Sequence, residues 1–418
     1  MDPKSNKIPS KGMSLVIIGW AVLFLASFGS YALGLLLPTL TKEFNFGLGV
    51  SGTLSSITFF VKVLIYIPLA LLAARVKPKL VLGCAFAVMG LSLIIQGVAT
   101  STIMLYVGRA IMAFGSAGII APLALVITNW VPKPRIAQIN GWQNFVVTFG
   151  QLVGSAGVVY LIAMLGSWRN MLVTLGAVGI ALSVIWFFVY KENEAAGAIK
   201  LPGKQPFFEP LKRALKQKAV WLLLLGWPVT TLAWTAFSTF YPTYAVENLN
   251  ISLTQAGWLI GIMAIAAAIA CITSPKIAHW IGVDKLVIWP CGFILPVMFF
   301  LVLKVSSFPL LAVLFFILGY VAYAFVPVAT TVIFKIPGID AGAISASVSI
   351  IQTTTALGAA IAGIIISTLG TTSIGLYGAL VVCGLSTIIF GILTLFLPEY
   401  GRKAMEKAKA EELGGQAV

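Results

Sequence analysis

The chain has 418 residues, of which 60% are hydrophobic and only 9% are charged, and its mean hydropathy is +1.03. A soluble domain cannot bury that much apolar side chain, so this composition excludes a water-soluble globular protein and indicates that the bilayer is the solvent. The net charge of +15 is compatible with nucleic-acid binding by itself, and only the placement of the basic residues decides against that interpretation.

Twelve apolar runs are long enough to cross a bilayer, which takes about 20 helical residues. They predict an all-α membrane protein with twelve transmembrane helices, over residues 14–37, 49–74, 80–99, 102–130, 138–165, 169–190, 219–245, 253–281, 285–303, 307–335, 341–369 and 373–397. The first run is too long for the core of a signal peptide and has no small-residue cleavage site before Pro38, so we predict a membrane helix there.

A long polar stretch, residues 191–218, separates the first six spans from the last six. The halves repeat each other at an offset near 205, as in the match between Pro122 and Pro327. We therefore predict two pseudo-symmetric six-helix bundles. The predicted divisions are a first bundle over 1–190, a linker over 191–218, a second bundle over 219–397 and a tail over 398–418.

The basic residues lie mainly on one side of the predicted membrane. If the N-terminus is cytoplasmic, only Lys42, Arg169 and Lys304 of the 27 Lys and Arg residues fall outside, and two more fall inside spans. This asymmetry follows the positive-inside rule and predicts that both termini are cytoplasmic. The basic charge is therefore a topology signal, so we expect a lipid bilayer and no nucleic acid as partner. The expected location is the inner membrane of a prokaryote.

Two loop segments carry related motifs. Residues 70–79, after the second span, are similar to the signature Gly-x-x-x-Asp-Arg-x-Gly-Arg-Arg, because Arg75 and Lys79 are kept while Ala74 replaces the usual Asp. The corresponding segment after the eighth span keeps Gly282 and has His279 at the Asp position. These four residues are candidate gating or structural positions.

With these motifs, with Arg109 followed by Gly115 and Gly118, and with Trp168-Arg169 opening the sixth span, the chain resembles the major facilitator superfamily over essentially its whole length. The resemblance implies the fold of that family and secondary transport. It also implies a charge-relay latch at the loop after the second span, and the missing Asp implies that the latch is altered or absent here.

Two cations lie deep inside predicted spans, whereas no acidic residue does. Lys62 is about 13 residues, or ~20 Å, into the second span, and Arg109 is about seven residues, or ~10 Å, into the fourth. A charge in hydrocarbon is costly unless a partner or a water-filled cavity receives it, so both cations are candidate contacts for a small anionic substrate. The alternatives are a Lys62 held by backbone carbonyls and an Arg109 that shapes helix packing.

Uncharged side chains complete the candidate site. On the fifth span Asn144, Thr148 and Gln151 share one helical face, and on the eleventh Ser349 and Gln352 do the same. Aromatic and hydroxyl groups suited to walling an organic ligand add further candidates, namely Tyr31, Trp234, Ser238, Tyr320 and Tyr323. Pro122 and Pro327 are candidate gate elements, because proline kinks helices. For each polar residue the alternative is contact between helices.

The sequence therefore predicts a secondary active or facilitative transporter of a small organic mono- or dicarboxylate, working by alternating access as a monomer. Exchange against a counter-anion, uniport and proton-coupled symport all remain open. Two other functions are compatible with the same fold, namely export of drugs or neutral solutes and a non-transporting membrane sensor. Because His279 is the only histidine and no nucleotide-binding motif occurs, we expect no metal, no cofactor and no enzyme activity.

Overall fold

The computed structural model describes residues 8–73, 76–191, 208–336, 341–404 and 406, and in that part of the chain every regular element is helical. Twelve of its helical segments are long and apolar enough to cross a membrane. The predicted all-α fold with twelve spans is therefore confirmed.

The helices follow the order of the predicted spans. The first six spans contain α1 (Ser10–Phe44), α2 (Leu48–Ala73), α3 (Pro78–Gly97), α4 (Thr102–Ala117), α5 (Ile120–Trp130), α6 (Lys133–Leu152), α7 (Val158–Leu165) and α8 (Trp168–Val189). The short α9 (Phe208–Ala214) then precedes the last six spans. These contain α10 (Lys218–Asn248), α11 (Leu253–Ile281), α12 (Lys285–Val302), α13 (Phe308–Phe334), α14 (Ala341–Leu369), α15 (Gly375–Leu385) and α16 (Thr387–Leu395).

The chain forms two compact units. The first contains Met1–Gln205 and Leu253–Gly261, and the second contains Pro206–Ser252 and Ile262–Val418. In the first unit α3 packs on α8 and α4, and α1 packs on α6. In the second unit α12 packs on α16 and α13, and α10 packs on α14. The opening turns of α11 thus cluster with the first unit, although α11 belongs to the second half of the sequence.

One predicted helix end is wrong, because α1 continues through Pro38 to Phe44, beyond the predicted end at residue 37. The helix α10 contains Pro242, as predicted, and ends at Asn248, three residues past the predicted end. A membrane helix tolerates such a proline because neighbouring groups satisfy the freed carbonyl. The left-handed backbone of Asn45, with φ of 49°, follows the end of α1. As a result Glu43 and Glu247, which the sequence placed between spans, lie in the last turns of these helices.

The fourth and fifth spans are not regular helices. The fourth is interrupted between α4 and α5 at Gly118 and Ile119. Pro122 explains this break, since it has no N–H to donate to the carbonyl of Gly118 four residues earlier. The fifth contains a π-helical turn, Val153–Gly157, between α6 and α7. Pro327 instead lies inside the continuous helix α13, so the matched prolines have different local effects.

Among the crossings where glycines let two helix backbones touch, one in each unit has a counterpart in the other. In the first unit an ideal Cβ on Gly90 of α3 would lie 2.6 Å from the carbonyl oxygen of Gly176 on α8. In the second unit a Cβ on Gly292 of α12 would lie 2.2 Å from the backbone nitrogen of Gly391 on α16. Close approach of this kind is how small residues drive helix association in lipid. The two crossings occupy corresponding places in the two halves.

We expect Gly292→Ala to destabilise the fold by about 1–3 kcal/mol, because the added methyl group must push two backbones apart. The measurement is the apparent melting temperature of the purified protein in detergent, followed by tryptophan fluorescence. Gly47→Ala is the matched control, since a Cβ there has no neighbour within 4 Å. Equal melting temperatures for the two variants would contradict this account of the crossing.

A polar cluster joins three helix ends of the first unit. The carboxylate of Glu43, at the end of α1, accepts hydrogen bonds from the indole nitrogen of Trp168 at 2.8 Å and from the guanidinium of Arg169 at 2.6 Å. Arg169 also donates to the carbonyl of Gly97 at the end of α3, at 3.3 Å. The Trp168-Arg169 pair that carried part of the family resemblance thus ties α8 to α1 and α3.

Candidate functional site

Lys62 lies on α2 and is half-buried. Its ammonium nitrogen is 5.4 Å from the ring centroid of Phe59, a distance typical of a cation–π contact. Among the residues that the structure describes, no carboxylate pairs with Lys62; Glu43 pairs with Arg169, and Asp284 pairs with Lys335. A phenyl ring compensates an ammonium charge only in part, so Lys62 keeps hydrogen-bonding capacity for an acceptor.

Arg109 lies on α4 and is only 3% exposed. One terminal nitrogen donates to the carbonyl of Gly29 on α1 at 3.0 Å and approaches the sulfur of Met112 at 3.9 Å. Its Nε has no partner in the described part of the chain. The backbone carbonyl of Arg109 accepts a hydrogen bond from the hydroxyl of Thr58 on α2, at 3.2 Å. Arg109 therefore connects three helices while its own charge is incompletely balanced.

The space beside Arg109 is small. A cavity of about 10 Å³, lined also by Gln96, is large enough for roughly one water molecule. An organic ligand does not fit there. The hydroxyl of Thr58, which donates to the backbone carbonyl of Arg109, lies one helical turn before Lys62 on α2. The two cations thus differ in burial, since Lys62 is half-buried and Arg109 is almost fully buried.

The polar face of α6 is turned away from its packing partner. Gly150 and Gly154 meet the backbone of α1 at Phe24 and Phe28. The candidates on the other side of the helix are an exposed Asn144, a half-buried Thr148 and a half-buried Gln151. On α1, Tyr31 is half-buried as well.

A larger cavity, of about 320 Å³, lies within the second unit. Three of the predicted residues line it, namely Trp234, Tyr323 and Gln352. The Trp234 and Tyr323 rings meet edge to face, with centroids 4.7 Å apart. This volume is within the range of small-molecule sites, which combine aromatic walls with a few polar groups. We call this space the second-unit cavity.

Other predicted residues of the second unit lie away from this cavity. The hydroxyl of Ser238 is buried and donates to the carbonyl of Thr235 on its own helix, at 3.3 Å. The hydroxyl of Tyr320 is 2.8 Å from that of Thr273 on α11. Both groups therefore act within or between helices. The side chain of Ser349 lies outside the described part of the chain.

Sequence reasoning missed several polar residues that line the second-unit cavity, namely Thr230, Thr330 and Thr355. One signal was present, because Thr355 extends the polar stripe of α14 by three residues beyond Gln352. Thr230 and Thr330 had no such signal, since threonine is common in membrane helices and its side chain often bonds to the helix itself.

The loop after α11 is held by charged groups. Asp284 is 5% exposed and forms a 2.6 Å ion pair with Lys335 at the end of α13. The carboxylate of Glu399 accepts the backbone N–H groups of Asp284 at 2.8 Å and Lys285 at 3.0 Å, which caps the start of α12. Gly282 adopts a φ of +76°, which favours glycine.

The remaining gating candidates have separate positions. His279 is exposed on the last turn of α11 and lines a cavity of about 500 Å³ together with Asp284 and Lys335. The carbonyl of Lys79 accepts a hydrogen bond from the indole of Trp186, at 2.9 Å. Arg75 lies outside the described residues. His279 occupies the position where the motif has an Asp. Asp284, which the motif comparison did not identify, provides a negative charge beside the same cavity.

Comparison with known proteins extends these observations. The family model of the Major Facilitator Superfamily matches residues 19–349. A hexuronate transporter of Bacillus subtilis (strain 168) is 25% identical over 204 residues, which cover 46% of this chain and 48% of that protein. The match therefore spans about half the length of this relative.

Two solved structures share the fold. They are the inward-facing, unoccupied and inward-facing, occupied forms of a bacterial homolog to the human lysosomal transporter Spinster. The unoccupied form superimposes with a TM-score of 0.70 at 18% identity, over 93% of this chain and 95% of the other. The occupied form gives 0.68 at 17% identity, over 92% and 94%. At these identities the likeness concerns the fold alone.

Proposed function

Because this chain belongs to the Major Facilitator Superfamily, we propose that it is a transporter that carries a small organic carboxylate across the membrane by alternating access. The observation that carries this proposal is Lys62, a half-buried lysine on a membrane helix with no carboxylate partner in the described part of the chain. Charged residues inside membrane helices are typical of substrate, ion or proton pathways. An anionic substrate supplies the missing partner.

The charge distribution supports an anion. The second cation, Arg109, adds to the positive potential on the same unit, whereas the acids Glu43 and Glu247 lie at helix ends. A fixed positive potential in low dielectric attracts anions and disfavours cations. The similarity to a hexuronate transporter points the same way, since a hexuronate carries a carboxylate.

We further propose that both chain ends are cytoplasmic, since the twelve-span topology then places most basic loop residues on the cytoplasmic side. An inner membrane of a prokaryote is the location that agrees with this proposal. The coupling is either exchange or uniport, in which the bound anion neutralises Lys62, or symport, in which the anion and a proton enter together at Lys62.

Counterflow in proteoliposomes tests the proposal. Vesicles loaded with one carboxylate should accumulate the labelled form from outside, with a panel of mono- and dicarboxylates, glucuronate, formate, nitrate and phosphate esters as competitors. We expect organic carboxylates to compete, and cationic drugs and neutral sugars to have no effect. Competition by cationic drugs without competition by any carboxylate would contradict an anion carrier and favour an exporter.

A further inference from the structure

The short helix α9 is fixed to the second unit by its apolar side. Leu211 packs against the buried Ala214 of the same helix and against Ala343 and Ala346 near the start of α14. In the turn that follows α9, Leu215 packs against the buried core of the second unit. The segment that leads from α9 into α10 therefore has a defined position on this unit, with one side turned inward and the other turned outward.

The outward side of this segment is basic. Residues 208–218 include four basic residues and one acid, Glu209. Lys212, Lys216 and Lys218 are exposed, and no ion pair joins any of these three lysines to an acid in the described part of the chain. A cluster of four basic residues directly before a membrane helix is typical of segments that bind anionic lipid headgroups.

The first turns of α10 continue this surface from charge to hydrocarbon. Lys218, Trp221 and Leu225 share one face of the helix, because they follow one another at spacings of three and four residues. All three are exposed, Trp221 to 45% and Leu225 to 51%. At 1.5 Å per residue, Trp221 lies about 5 Å and Leu225 about 10 Å beyond Lys218 along the helix. These distances agree with the depth of the headgroup region on one side of a bilayer.

This face of α10 is turned away from the second-unit cavity. The residues of α10 that line that cavity include Trp227, Thr230 and Trp234. At about 100° per residue, they lie roughly 180° to 240° around the helix axis from Trp221. The indole nitrogen of Trp221 donates to the carbonyl of Leu215 at 2.7 Å, so its polar atom has a partner while the ring stays exposed. An exposed tryptophan at the end of a membrane helix is typical of the membrane–water interface.

We propose that the outward side of residues 212–225 binds an anionic phospholipid. Lys212, Lys216 and Lys218 contact the phosphate of the headgroup, Trp221 lies beside the ester groups, and Leu225 lies beside the acyl chains. Each basic residue near an anionic lipid surface strengthens binding about fivefold. The bound lipid holds α9, the segment that precedes the last six spans, on the membrane surface. This site is separate from the substrate site and does not depend on which solute is transported.

Quenching of Trp221 by brominated lipids measures the lipid composition next to the site. The full-length protein is reconstituted into phosphatidylcholine vesicles that contain an increasing share of either brominated phosphatidylglycerol or brominated phosphatidylcholine. The difference in fluorescence between the unchanged protein and Trp221→Phe isolates the signal of this tryptophan. We expect half-maximal quenching at about a tenfold lower share of the anionic lipid, because the lysines hold its headgroup beside the ring.

A pair of double variants connects the preference to the lysines. Lys216→Gln combined with Lys218→Gln should remove the preference, so that the two brominated lipids quench Trp221 equally. The control, Lys42→Gln combined with Lys304→Gln, removes the same charge from exposed lysines at other helix ends and should keep the preference. The melting temperature of each variant is recorded on the same preparation, and we expect it to be unchanged because all four side chains are exposed.

Three outcomes would overturn the proposal. The first is equal quenching by the two lipids in the unchanged protein. The second is an equal loss of preference in both double variants, which would indicate attraction by the whole basic surface and no particular site. The third comes from inorganic phosphate, added at an ionic strength held constant with chloride. It should leave the preference unchanged, and loss of the preference would indicate that the lysines bind free phosphate instead of a lipid.

Discussion

Replacement of Lys62 by alanine is expected to lower the initial rate of carboxylate counterflow about a hundredfold, because loss of one partner of a desolvated charge pair costs several kcal/mol. The fold should survive, since the described structure gives the Lys62 ammonium a contact with the Phe59 ring and no ion pair. The measurement is counterflow per folded carrier, with the melting temperature recorded on the same preparation.

Lys304→Ala is the matched control for charge. Its ammonium lies 4.6 Å from the ring centroid of Tyr377, also without an ion pair in the described part of the chain, but in the turn between α12 and α13. Counterflow should remain near the level of the unchanged protein. If Lys62→Ala transports as well as Lys304→Ala does, the site assignment is wrong.

The variant Lys62→Arg decides the coupling. Arginine keeps the positive charge and does not release its proton under ordinary conditions. If Lys62 carries the proton of a symport, the arginine carrier should bind the anion and lose the pH dependence of uptake. Uptake by Lys62→Arg that follows pH as in the unchanged protein would exclude the lysine as proton carrier.

The span pattern could be predicted because bilayer thickness imposes it. The eleventh predicted span, 341–369, agrees with α14, and the second, 49–74, with α2 to within a residue. The break after α4 and the π-helical turn after α6 depend on local backbone hydrogen bonds, which hydropathy does not contain. The extension of α1 past Pro38 was not predicted, because in water-soluble proteins a proline usually marks the end of a helix.

The candidate site was predicted unevenly. Lys62 and Arg109 could be found because a charge inside an apolar run is conspicuous. The difference in burial between Lys62 and Arg109 could not be predicted, since burial depends on which helices pack around each side chain. Thr330 was missed because only the packed structure shows that its hydroxyl proton is used within α13 and that its side chain lines a cavity. Sequence spacing gives the helical face, and packing decides what that face meets.

Arg109→Met should separate stability from transport. The buried guanidinium donates to the backbone carbonyl of Gly29 and approaches the sulfur of Met112, and its Nε has no partner among the described residues. Replacing a poorly compensated buried charge by an apolar side chain of similar length is often neutral or stabilising by about 1–4 kcal/mol. Gly29 lies inside α1, where its carbonyl also accepts the hydrogen bond of the helix. We therefore expect an unchanged or higher melting temperature.

If the positive charge of Arg109 helps to attract the anionic substrate, transport by Arg109→Met should fall about tenfold. Arg169→Met provides the contrast, because Arg169 donates to Glu43 of α1 and to the carbonyl of Gly97 at the end of α3, so its loss removes hydrogen bonds between helix ends and lowers the melting temperature. A lower melting temperature for Arg109→Met with full counterflow per folded carrier would make Arg109 a packing element only. An unchanged melting temperature with slower counterflow would instead indicate that Arg109 and Lys62 together attract the anion.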